Sequence, residues 1–268
     1  MSSQQVLQFA ALSDTGRVRE HNEDAIIVCA DYGCAVLADG MGGYRAGEVA
    51  SAMSARLITD YLCARLAGLW SLRIGWPDRT LARWMLEAVE LANRCVLQAS
   101  QTDAACQGMG TTVVTACFSY DKLLLAHVGD SRAYRYRAAA LTRLTHDHSV
   151  LQEQIDAGLI SEADARFSSI KNLITRAVGT QDDIDVEITV HAVQADDLYL
   201  LCSDGLTDML TPDEIAAILQ RHQNDLTCCC RVLVDCANAE GGKDNCSVVL
   251  FKVVEVGQSS WLRRLLTR

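Results

Sequence analysis

Proline is nearly missing from this chain of 268 residues, which has only Pro77 and Pro212. No proline-rich linker divides it, and there is no low-complexity stretch or internal repeat. Aromatic residues are scarce, at 6%. Positive charge is outnumbered: 24 Lys and Arg face 34 Asp and Glu, a formal net charge of −10. A general nucleic-acid binder needs a basic face, so that class is excluded. No run approaches the roughly 18 apolar residues of a membrane helix, so no stable membrane insertion is expected. The opening MSSQQVLQF has no basic stretch leading into an apolar one. A secretory signal is therefore not expected, and the expected compartment is the cytoplasm.

Cysteine is plentiful, at 12 residues, but its chemistry-bearing arrangements are absent. There is no C-x-x-C pair, which removes zinc ribbons and thioredoxin-like redox sites. No Cys has an Arg six positions on, the spacing of cysteine-based phosphatases. Cys29, Cys34, Cys117, Cys202 and Cys246 lie in apolar runs and read as small core hydrophobes, as does the CCC at 228–230.

What is present is enough apolar material for a sizeable core: hydrophobic residues make up 50%. Strand-like runs fall at Val6–Leu12, Ala25–Ala30 and Cys34–Ala38. Helical spacing follows at Ala46–Ala67 and Leu81–Ser100. Three β-rich runs come next, Thr111–Tyr120, Lys122–His127 and Ala133–Arg137. From about 147 to 179 the chain is polar and weakly helical, as an insertion would be. Ile184–His191 and Leu198–Cys202 read as strands, Pro212–Arg221 and Leu226–Ala239 as helices, and Ser247–Val254 as a closing strand. Strands and helix pairs alternate in blocks, which predicts an α+β fold with antiparallel sheets covered by helices. Residues 1–256 read as one domain. The basic tail 257–268 would set Trp261, Leu262, Leu265 and Leu266 opposite its arginines if helical. A frayed terminus is the plainer reading.

Four acidic sites share a local grammar. VLADGMGG, AHVGDSR and LLCSDGLTD place Asp39, Asp130 and Asp204 where an apolar run gives way to a glycine turn, and GGKDN places Asp244 just before the last strand. RVREHNED adds Arg19, Glu23 and Asp24 ahead of the run from Ala25. A lone Asp-Gly is usually a turn. Several together predict carboxylates meeting at one cleft, where their repulsion demands cations. Oxygen-only ligation suits Mg²⁺ or Mn²⁺, and Gly40 lets its carbonyl turn toward an ion. Two such ions activate a water for attack on a phosphate ester, and Arg19 would grip the phosphate oxygens.

These five motifs, in this order from about Leu7 to Val254, resemble the metal-dependent PP2C-like (PPM) protein serine/threonine phosphatases, especially their compact bacterial members. The resemblance implies a four-layer α-β-β-α sandwich. It implies that Asp39 bridges two Mn²⁺ or Mg²⁺ ions, with Gly40 lending its carbonyl and Asp204 and Asp244 as further ligands. It assigns Glu23 and Asp24 to metal-bound waters, Asp130 to a weaker third ion, Arg19 to the phosphate and Asn245 to orienting a ligand. A metal-bridging hydroxide would attack phosphoserine or phosphothreonine of substrate proteins without a phosphoenzyme. An opposing Ser/Thr kinase and a monomeric state are part of the implication. Two departures stand out. Met41 follows the bridging Asp-Gly where some members carry a histidine, and RFSSIKN replaces the usual His-Pro segment of the flap at 147–179. His148 is a poor candidate for the missing acid, since a loop histidine more often caps or packs. Other classes remain in view: a non-catalytic PP2C-like domain that binds phosphoproteins, or a phosphatase acting on a phosphorylated anti-sigma antagonist. SDTG at Ser13–Gly16 lacks the second copy that an aspartic protease needs and reads as a turn.

Overall fold

The computed structural model describes residues 6–43, 46–70, 76–161, 164 and 173–255. One antiparallel sheet joins β1 (Val6–Asp14), β11 (Cys246–Glu255), β10 (Leu198–Cys202), β7 (Arg132–Arg137) and β8 (Ala140–Arg143), in that spatial order. The other joins β2 (Asp24–Cys29), β3 (Cys34–Met41), β5 (Val113–Ser119), β6 (Lys122–Val128) and β9 (Glu187–Ala192), with the two-residue β4 (Gly110–Thr111) paired to the end of β3. The long helices are α1 (Ala46–Trp70) and α2 (Asp78–Thr102). The shorter ones are α3 (Val150–Asp156), α4 (Asp204–Thr207), α5 (Pro212–His222) and α6 (Leu226–Ala239).

Side-chain alternation explains the layering. Along β3, Val36 and Ala38 face α1 and α2, where they meet Ile58, Leu62, Met85 and Val89. Ala35 and Leu37 face the other sheet and meet Val114, Tyr199, Leu201 and Phe251. Beyond that sheet, Leu200, Val248 and Leu250 pack on Ile215, Leu219, Cys229 and Leu233 of α5 and α6. Three apolar interfaces between four layers give the α-β-β-α sandwich. Each fully buried Leu or Val stabilises this stack by roughly 1.5–3 kcal/mol. The helix starts follow local chemistry. Thr211 and Glu214 form a reciprocal capping box with Pro212 in the first turn of α5, and Asp225 caps α6 through the Cys228 amide.

The differences from sequence expectation are local. β3 runs past Ala38 to Met41, because Gly40 and Met41 pair with Thr111 and Gly110. The strand expected at Ile184–His191 begins at Glu187, opposite His127 near the end of β6. Residues before it have no ladder to join. β4 and β8 were not expected. The segment 147–179 holds α3, and its base is tied by a bridge between Ser149 and Ile174. The flap segment RFSSIKN and the tail 257–268 lie outside the described residues.

Candidate metal centre

Asp24 and Asp39 are register partners across β2 and β3, at the end of the sheet where the β10–α4 junction and the start of β11 also arrive. One oxygen of Asp24, Oδ2, accepts the Ser203 hydroxyl at 2.9 Å. The other, Oδ1, is buried with no hydrogen-bond partner. Burial pushes the Asp24 carboxyl up to about 6, opposed by hydroxyls from Ser247 and Ser203. Burial also holds Asp39 well above the usual carboxylate range, and Asp24, Asp204, Asp130 and Asp244 add repulsion. Asp204, which opens α4, is raised well above that range by burial, then by Asp130, Asp208, Asp244 and Asp24. Asp130, in the turn after β6, is raised to about 6 by burial and Asp147, against Arg132. Unit charges about 4 Å apart repel by roughly 4 kcal/mol at an effective dielectric of 20. The side chains thus meet with a deficit of positive charge.

The loops around them are held tightly. Gly40 donates its N–H to the Glu23 carbonyl at 3.0 Å. A Cβ on Gly40 would lie 2.1 Å from the Gly47 carbonyl oxygen, so only glycine admits the start of α1 here. Glu23 presents its carboxyl to Gly47, and burial raises its proton affinity while Arg19 lowers it. The Asn245 side chain clamps three backbone groups. Its Oδ1 accepts the Glu23 N–H at 2.7 Å, and its Nδ2 donates to the Thr15 and His21 carbonyls, each at 2.9 Å. The Asn245 amide in turn donates to Asp244 Oδ1 at 2.8 Å. Arg19 Nη2 donates to Asp244 Oδ2 at 2.6 Å, with half of the arginine side chain open to solvent.

Asp39, Asp204, Asp244, Asp24, Asp130, Glu23, Arg19 and Gly40 are therefore neighbours. His148 is engaged beside the cluster and not within it: it is buried, stacks on His127 at 4.6 Å between ring centres, and accepts the N–H of Gly129, next to Asp130, at Nδ1. That bond leaves Nε2 carrying the proton in the neutral ring. His127, His148 and Glu187 lie close enough to suggest a metal site. However, Arg176 Nη1 lies 3.3 Å from His148 Nε2 and disfavours a cation there. Of the expected turn at Ser13–Gly16, Ser13 and Asp14 instead end β1, paired with Ser247 and Cys246, and the chain turns only from Gly16, whose N–H donates to Asp14 Oδ1 at 2.9 Å. The strand-end grammar missed Asp208, four residues after Asp204 and hence on the same side of that helical turn, which adds to the repulsion on Asp204 and Asp130. The i, i+4 spacing was the available signal.

Whether divalent cations fit is decided by the donors. All are oxygens, one carboxylate oxygen is buried and unpartnered, and the acids are mutually repelling. That is the environment a hard cation satisfies. Comparison with known proteins agrees. The family model described as Protein phosphatase 2C matches residues 16–236. The serine/threonine phosphatase stp of Listeria monocytogenes serotype 4b is 36% identical over 250 residues, covering 90% of this chain and 93% of that protein. The solved serine/threonine phosphatase PstP/Ppp of Mycobacterium tuberculosis superposes with a TM-score of 0.81 at 34% identity, covering 93% of this chain and 99% of that one. The catalytic domain of PstP in complex with 2 manganese ions gives 0.79 at 35% identity, covering 94% and 100%. The chain belongs to the protein phosphatase 2C family. It is a metal-dependent serine/threonine protein phosphatase.

Proposed function

We propose that Asp39, Asp204 and Asp244, with the Gly40 carbonyl, hold two Mn²⁺ or Mg²⁺ ions. The observation that carries this reading is the convergence of acids from separate strand ends into one crowded, partly dry cluster. When bound, such ions supply an activated water and neutralise charge on a phosphate ester. The rest falls to the chain's own groups. Glu23 and Asp24 would accept hydrogen bonds from waters on those ions, and the unpartnered Oδ1 of Asp24 is placed for that task. Asp130, beside Asp204, serves a third and weaker ion. Arg19 is anchored by Asp244 at the rim with a half-exposed guanidinium, and its planar fork takes two phosphate oxygens of phosphoserine or phosphothreonine.

The cluster's carboxylates are committed to holding cations and their waters, so phosphoryl transfer goes to water in a single displacement rather than to a side chain. Met41 at the end of β3 has no proton to give, and His148 Nδ1 is taken up by the Gly129 N–H. The leaving alkoxide is therefore protonated from solvent-derived water. Residues 1–256 act as one catalytic unit in a reducing cytoplasm, opposing a Ser/Thr kinase. Support for that setting comes from the cysteines, all of which are free. No helix among the described residues is long and apolar enough to cross a membrane. The test is hydrolysis of a phosphothreonine peptide with Mn²⁺. Turnover should vanish with chelator and in Asp39→Asn while the circular dichroism stays native. Undiminished turnover by Asp39→Asn contradicts the ligand assignment.

A further inference from the structure

The end of β2 remote from the acids carries a cluster of sulfur. Cys29 closes β2 and is the register partner of Cys34, the first residue of β3. Cys34 is in turn the register partner of Cys117 on β5. From α1, Cys63 donates its S–H to Cys29 Sγ at 3.1 Å. Four thiols from four elements thus gather at one place, but their exposure separates them. Cys34 and Cys117 are 1% and 0% exposed, and close packing of small side chains accounts for them. Cys29 and Cys63 are half-buried and in sulfur–sulfur contact. Cys29 packs in part against the core, but packing does not account for a partly open pair with its sulfurs in contact. Nor do these thiols form a metal site: among the described residues no three of them bring their sulfurs within 4.8 Å of one another.

We propose that Cys29 and Cys63 are a modification site, a dithiol that hydroperoxide converts into a reversible intramolecular disulfide pinning β2 to α1. Cys29 is the acceptor in the S–H contact and attacks first. Its sulfur forms a bond to one peroxide oxygen, the O–O bond breaks, and water leaves with the thiol proton, giving a sulfenic acid. The Cys63 sulfur then displaces the hydroxyl. The S–S bond forms, the S–O bond breaks, and a second water leaves with the Cys63 proton. Two electrons pass from the two sulfurs to the peroxide. Burial and the contact with Cys29 push the Cys63 thiol up to about 12, in keeping with its role as the resolving thiol that keeps its proton until the second step. The bridge ties together two elements whose other ends frame the acid cluster: β2 begins at Asp24, and Gly47 near the start of α1 packs on Gly40 and Glu23. Closing the chain between residues 29 and 63 restricts the unfolded state and raises the thermal midpoint by several degrees.

The test uses the full chain exposed to hydrogen peroxide, then denatured, alkylated with iodoacetamide, digested and weighed. The expected product is a Cys29–Cys63 linked peptide about 2 Da lighter than its reduced halves, lost on treatment with dithiothreitol. In Cys63→Ser, dimedone should mark Cys29 as the trapped sulfenic acid. The proposal is overturned if Cys29 and Cys63 both stay alkylatable after peroxide, or if Cys29 is found linked to Cys34. The order of attack is overturned if Cys63 in Cys29→Ser takes up dimedone as fully as Cys29 does in Cys63→Ser.

Discussion

Asp39 sits at the end of β3 with the carboxylates of Asp24, Asp130, Asp204 and Asp244 all raising its proton affinity. Such a side chain destabilises the metal-free fold, and under the proposed ligand assignment it would serve the loaded one. Asp39→Asn should lower turnover by about a thousandfold or more. In chelator the same variant should be more stable than the wild type by about 1–3 kcal/mol, because one repelling charge is gone. Turnover assays and thermal unfolding check the two halves separately. The pH dependence has a definite sign. Asp24 and Asp130 are held at about 6 in the fold, against about 4 for an unfolded Asp. Their folded pKa values are raised, so the stability they contribute is full below about pH 4 and is lost as pH rises through about 6. In chelator, Asp24→Asn should therefore gain on the wild type across that window, as read by thermal midpoints at a series of pH values. With metal present the trend should invert, since ions and protons compete for the same oxygens. Arg19→Ala should raise KM for a phosphopeptide about tenfold or more, with Arg19→Lys failing to restore it, because a lysine has no fork.

At the scale of elements, the decisive contact is between β3 and the start of α1. Gly40→Ala places a methyl 2.1 Å from the Gly47 oxygen, and backbone must move to admit it. A loss of about 2–4 kcal/mol is expected, measured by denaturant unfolding. Asn245→Ala should cost a similar amount, since the Glu23 amide loses its acceptor and two carbonyls lose their donor. Most elements were legible in the sequence, α2 because its apolar residues recur at helical spacing and β3 because it opens on an unbroken apolar run between turn signals. β4 and β8 were not, since Gly110–Thr111 and ALTR are too short and polar for any period to show. Asp39, Asp130, Asp204 and Asp244 were legible because each stands beside a turn that glycine marks, whereas Glu23 and Asp24 were legible only as part of RVREHNED. The Ser203 and Ser247 hydroxyls beneath Asp24 were not, because that contact depends on how β2, β10 and β11 come together across the two sheets. No local pattern encodes such a meeting.

Across the whole molecule, the two sheets and their helix pairs form a scaffold whose strand ends share one edge. Asp24 and Asp39 come from the β2–β3–β5–β6–β9 sheet, whereas Asp204 and Asp244 flank strands of the other. The proposed metal centre would therefore bridge the sandwich, with cations tying the two sheets together at that edge. Ion removal should abolish activity, and Mn²⁺ should restore it. The most direct measurement is calorimetric titration of Mn²⁺ into the chelator-stripped chain, wild type beside Asp39→Asn. Two ions bound by the wild type, and the loss of at least one in the variant, is the result this account predicts. Equal stoichiometry and affinity in both proteins would contradict it.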